Sequence, residues 1–247
     1  MTDKPWTSGP KELLNHAYEH IENKRSFDYR IAMISIDNAV ELAIKTYLGL
    51  PKRVRGTDGP SYRRLQEASN SFPELINLLE EYAGNAINGI ELGDIEVYHR
   101  TRNTLYHDGN GVTVDPVHVD SYMQIATILL RNLLGISIET AIGGMRAGSS
   151  PNSQVGDLII KWAMLTQRLR GIVDKTYKTA IPANEPILHL ADRLVTRKII
   201  LPSVRERIKE VNNARNKVVH GAIIADDDNL KKMIQEIEAI TAEIKNI

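Results

Sequence analysis

Residues Tyr29–Leu48 read YRIAMISIDNAVELAIKTYL. The stretch is apolar over most of its circumference at a helical period. It predicts a central helix that its neighbours bury on nearly every side. Outward from it, period-3.6 patterning predicts helices at Glu12–Asn23, Pro73–Ala83, Ile95–His107 and Asp120–Gly135. The last is capped by Asp120 or Asp115. Residues 155–177, 185–197, 203–220 and 228–246 repeat the pattern. Asp226–Asp228 place acid at the start of the final helix, where its dipole favours negative charge. No sustained period-2 alternation occurs, so the expected class is all-α.

The stretch GGMRAGSSPNSQVG (Gly143–Gly156) has a linker's composition. It divides the chain into a helical bundle at 1–142, a linker at 143–155 and a second bundle at 156–247. With 247 residues, each part is long enough to bury a core.

Composition narrows the function. There is no Cys, which excludes disulfides, thiolate zinc sites and cysteine nucleophiles and agrees with a reducing, cytoplasmic setting. MTDKPWTSGP at the N-terminus has no apolar core of the kind a signal peptide needs. The most apolar run, IATILLRNLLGISI, carries Arg131 in its middle, so no membrane partner is expected. Net charge is zero, which argues against a general nucleic-acid coating protein. Residues 1–150 carry 15 Lys+Arg against 19 Asp+Glu (−4), and residues 151–247 carry 16 against 12 (+4).

Two short stretches are written alike. Arg102–Gly109 is RNTLYHDG and Arg215–Gly221 is RNKVVHG. Each begins Arg-Asn and places a His five positions after the Arg. On a helix, Asn103 and His107 stand about 40° apart and can touch, as can Asn216 and His220. Arg and His stand about 140° apart, so one helix alone makes no tight site. Two such helices side by side would gather two Arg, two Asn and two His. That set suits attack of an RNA 2′-OH on its adjacent phosphate. His supplies a base of near-neutral pKa, and Arg supplies a forked donor for charge on the phosphorane. No metal or other cofactor is expected. The plainer account is that a His followed by Gly is an ordinary helix stop, although repetition of the whole pattern weighs against it.

RNTLYHDG and RNKVVHG resemble the Arg-Asn-x-x-x-His signature of HEPN domains, which are small α-helical bundles. ISIDNAVELAIKTYL is similar to the long helix that precedes the motif in that family, and VNNARNKVVHG to the motif helix itself. The resemblance implies two HEPN-like bundles in tandem and a metal-independent endoribonuclease of a toxin–antitoxin, phage-defence or RNA-processing kind. It implies roles for Arg102, Asn103, His107, Arg215, Asn216 and His220, paired within one chain or in a homodimer. His107 and His220 would be base and acid, Arg102 and Arg215 would stabilise the phosphorane, and Asn103 and Asn216 would orient the His rings. Implied partners are an RNA substrate and an antitoxin or regulatory protein. The alternative is a non-catalytic module that binds RNA, a nucleotide or a protein.

Further residues are weighed beside the motifs. Asp37, Asn38 or Glu41 on the central helix is expected to reach the first motif and fix Arg102, or else to form a solvated stripe. The corresponding helix of the second part has no mid-helix acid, so the two motifs need not be equal. The loop 51–64 holds Lys52, Arg53, Arg55, Arg63 and Arg64, a phosphate grip if it flanks the groove and otherwise a solvated loop. His16, His20, His99, His118 and His189 are read as structural or exposed. Tyr106 and Val219, each preceding a motif His, are read as core-facing packing in preference to a base-stacking surface.

Overall fold

A computed structural model describes residues 4–107, 113–136, 153–177, 181–182, 185–223, 226–245 and 247. Most of the expected linker, and Asp108–Gly109 of the first motif, lie outside them. Among the described residues the chain is all-helical, with no strand. The helices are α1 (Ser8–Asn23), α2 (Ser26–Gly49), α3 (Lys52–Arg55), α4 (Tyr62–Ala68), α5 (Phe72–Ala83), α6 (Leu92–His107), α7 (Pro116–Leu134), α8 (Ser153–Tyr177), α9 (Ile187–Thr196), α10 (Pro202–Val219) and α11 (Asp227–Glu243). None is long and apolar enough to cross a membrane.

The expected central helix is α2. Ala32, Met33, Ile36, Ala39, Val40, Ala43 and Ile44 are fully buried along it, and α1, α5, α6 and α7 pack around it. Each large apolar side chain so buried contributes about 1.5–3 kcal/mol. The turn from α1 into α2 is tied by buried Asp28. It meets Arg25 Nε (2.5 Å), His20 Nδ1 (2.7 Å) and Asn23 Nδ2 (3.1 Å). Arg25 foremost, then His20, hold the Asp28 carboxyl down at about 2. Lys24 turns the corner with φ 55°, its N–H closing on the Ile21 carbonyl.

In the second part α8 packs against α9 and α11, and α10 against α9 and α11. α7 lies against α8, and the buried apolar residues from Leu14 to Ile244 form one continuous cluster. Of the two expected caps for α7, Asp115 is the one used, accepting the Val117 N–H at 2.8 Å. Asp226 caps α11 through the Asn229 N–H.

The loop expected at 51–64 differs in detail. Lys52–Arg55 make a helical turn, and Tyr62 already begins α4, capped by Ser61. Arg55 folds back under the end of α2 to donate to the Leu48 carbonyl (3.1 Å). A cation there satisfies a helix C-terminus whose carbonyls lack intrahelical partners.

Candidate functional site

α6 carries Asp94, Tyr98, Arg102 and Tyr106 at four-residue spacing, so the four lie along one slowly turning stripe. The stripe is the backbone of both motif sites.

Arg102 sits where α6 crosses α2. Its Nη1 donates to Asn103 Oδ1 (2.9 Å), its Nη2 donates to Asn38 Oδ1 (3.1 Å), and its Nε lies 3.4 Å from Asp37 Oδ2. The side chain remains 20% exposed while Asp37 is fully buried, so the guanidinium bridges a dry acid and the solvent. Asp37 also meets His99 Nδ1 at 3.0 Å and accepts a hydrogen bond from the Tyr122 hydroxyl at 2.8 Å. Burial, then the Asp37 charge, pushes the Tyr122 phenol well up, which keeps it a proton donor. Phe72 stacks on His99. Glu41 does not join; it pairs with Lys45 at 2.6 Å.

The tips of this site face solvent. His107 is the last residue of α6 and is exposed. Tyr106, expected in the core, is instead 63% exposed. Arg102, one turn earlier, stacks over its ring at 5.2 Å. Val219, in the equivalent position of the second motif, is fully buried. The Asn103 side-chain carbonyl accepts a charge-assisted hydrogen bond from Arg102, and no hydrogen bond joins Asn103 to His107 among the described residues.

The second motif is built differently. Arg215 is only 2% exposed. Its Nη1 donates to Asp94 Oδ1 (3.0 Å) and to Asn216 Oδ1 (3.1 Å), and its Nη2 donates to Asp94 Oδ2. His220 Nε2 lies 2.8 Å from Asp94 Oδ1, with 38% of the side chain exposed. Burial alone would raise the Asp94 carboxyl, but Arg215 and His220 bring it below its ordinary value. The ionised carboxylate only accepts, so Nε2 carries the proton in this contact. Tyr98 donates its hydroxyl to the Val219 carbonyl at 2.8 Å. Beyond Val219, Gly221 (φ 70°) lets the chain fold back, and the Ala222 N–H reaches the Lys217 carbonyl at 2.8 Å. The Gly of this motif is therefore a helix stop. Its Arg, expected to face a phosphate, is instead sequestered by an acid of the first part.

The two sites are contiguous but not confronted. Tyr98 stacks on Tyr122 with ring centroids 4.7 Å apart, so the Asp94 cluster and the Asp37 cluster meet through this buried pair. His107, however, stands thirteen residues beyond Asp94 on α6, about 20 Å along the axis. The two motif His of one chain do not share a groove.

The basic loop is also remote. It leaves α2 eleven residues past Asn38, about 16 Å along that helix. Four of its cations are engaged locally: Lys52 with Asp58, Arg63 with Glu67, Arg64 with Glu81, and Arg55 with backbone carbonyls. Arg53 alone of the five makes no such contact among the described residues.

Asp94, Tyr98 and Tyr122 are site members that periodicity and motif spacing do not single out, and His99, expected to be structural or exposed, meets Asp37. The four-residue spacing from Asp94 through Tyr98 to Arg102 is the one local signal, and it does not reach Tyr122 on α7. Comparison with protein-family models, with curated proteins and with solved structures finds no match to the chain.

Proposed function

We propose that the chain is a tandem HEPN-like, metal-independent endoribonuclease whose working motif is Arg102–Asn103–His107. The second motif, Arg215–Asn216–His220, holds the two parts together. The observation that carries this reading is the contrast between the two arginines. Arg102 is anchored by Asp37, Asn38 and Asn103 yet reaches solvent beside an open His107, whereas Arg215 is buried on Asp94.

Arg102 and His107 diverge on their helix, so a complete site needs a second copy. A two-fold pair would set Arg102 of each chain against His107 of the other. One His takes the proton of the RNA 2′-OH, whose oxygen attacks the phosphorus. The P–O5′ bond breaks as the other His protonates the leaving oxygen, giving a 2′,3′-cyclic phosphate and a 5′-hydroxyl end. The Arg102 guanidinia stabilise the phosphorane oxygens.

The test is cleavage of tRNA and total RNA in EDTA. Arg102→Ala and His107→Ala each lose about 10²–10⁴ of the rate, while His220→Ala retains most of it. A strict requirement for a divalent metal, or loss in His220→Ala alone, would sink this assignment. As a toxin, the protein would slow growth when expressed alone, and an antitoxin partner would relieve it. A second reading, a binding module without turnover, is favoured by the ion-pair contact between Arg102 and Asp37. Under it wild type binds RNA and cuts none.

A further inference from the structure

Tyr106 has an environment the nuclease reading does not use. A single exposed aromatic is ordinary on a protein surface, so its 63% exposure decides nothing alone. Its neighbours do. Arg102 covers the ring at 5.2 Å from the centroid, and His107 meets it nearly edge-on, also at 5.2 Å and with 81° between the planes. Arg102 is itself fixed by Asn38, Asn103 and Asp37. The phenol ring is thus propped from one side by an anchored cation and left open elsewhere.

A second exposed aromatic lies at the same end of the molecule. Arg30 donates to the Leu105 carbonyl at 3.5 Å, which places the first turns of α2 beside the last turn of α6. Phe27, in the first turn of α2, is 65% exposed. Exposed aromatic side chains at the end of the molecule that carries Arg30, Arg102 and His107 are the combination that holds single-stranded nucleic acid, rings taking bases and cations taking the backbone.

We infer that Tyr106 is a base-stacking platform that seats an unpaired nucleobase of single-stranded RNA next to His107 and Arg102. The inference rests on the nuclease reading for its substrate class. With the base on Tyr106, the adjoining phosphate lies toward the guanidinium and the imidazole. Recognition through a π-face is tolerant of base identity, so the platform selects unpaired RNA over duplex and not one sequence over another.

The probe is a fluorescein-labelled single-stranded oligonucleotide with 2′-O-methyl riboses, which lack the attacking hydroxyl and stay intact. Titration by anisotropy compares wild type, Tyr106→Ala and Tyr106→Trp, and the all-RNA oligonucleotide gives cleavage constants in parallel. Tyr106→Ala is expected to weaken binding about 5- to 150-fold, the range for one stacked base. It raises KM, and Tyr106→Trp brings KM back. Tyr106→Trp binds as well as wild type.

Equal binding by Tyr106→Ala and wild type overturns the platform, and if wild type still cleaves, the nuclease reading stands without it. Failure of Tyr106→Trp to restore binding overturns stacking in favour of a hydroxyl contact. Weakened binding by Tyr106→Ala in a protein that cuts no RNA keeps the platform and removes the nuclease. An oligonucleotide that wild type does not hold at all overturns the platform outright.

Discussion

Asp94 of α6 and Arg215 of α10 are buried against each other across 121 positions of sequence. The acid that completes the second motif therefore belongs to the helix that carries the first. Removing it would leave a guanidinium in a dry interior, a change that costs about 3–5 kcal/mol. Asp94→Ala is expected to lower the urea midpoint accordingly. Replacing both partners, as Asp94→Leu with Arg215→Met, recovers most of the loss because no charge is left unpaired. A single variant as stable as wild type would mean the pair contributes nothing.

Acid sensitivity follows from the same pair and from Asp28. Both carboxyls are held below their ordinary values, Asp28 at about 2. Groups depressed in this way stabilise the fold above the unfolded carboxylate pKa of about 4 and lose that contribution as pH falls toward 2. Urea midpoints between pH 7 and pH 2 should drop below pH 4, and the drop should flatten in Asp28→Asn with Asp94→Asn. Glu91 works in the opposite sense. Burial raises its carboxyl, so its contribution is present in acid and lost as pH rises. Glu91→Gln should stabilise the protein at pH 7.

Gly221 is expected to resist substitution. Its φ of 70° disfavours any side chain, and an added Cβ would fall 2.3 Å from His118 Nε2. The left-handed backbone alone costs about 1–2 kcal/mol, and ~2–4 °C of melting temperature accompanies each kcal/mol at this chain length. Calorimetry of Gly221→Ala should register a fall of at least that size; an unchanged transition would contradict the turn.

Tyr122→Phe tests the link between the buried core and the open motif. Asp37 would lose the 2.8 Å hydroxyl, a cost of about 1–3 kcal/mol for a buried acceptor. Because Asp37 positions Arg102, RNA cleavage should fall along with stability. Loss of stability with cleavage unchanged would show that Arg102 is held well enough by Asn38 and Asn103.

The legible parts of this fold were those set by local rules. The α2 apolar surface, the caps at Asp115 and Asp226, and the helix stop at Gly221 follow from periodicity and end chemistry near each residue. Asp37 and Asn38 were in view because polar groups in the middle of a mostly apolar helix stand out. Asp94 was not. In the first turn of α6 it looks like an acid placed to suit a helix dipole, and its real partner is more than a hundred residues away. Tyr106 was misjudged for a related reason. Tyr106 precedes the motif His just as buried Val219 does, but in the last turn of α6 it is Leu105 that enters the core and Tyr106 that faces water.

The reach of Asp94 across the chain also orders events during synthesis. When α6 leaves the ribosome, Asp94 has not yet met the Arg215 and His220 that it contacts in the folded chain. Only after α10 has been made does Arg215 arrive to neutralise it. In a nascent chain stalled before that point the Asp94 clasp is still undone.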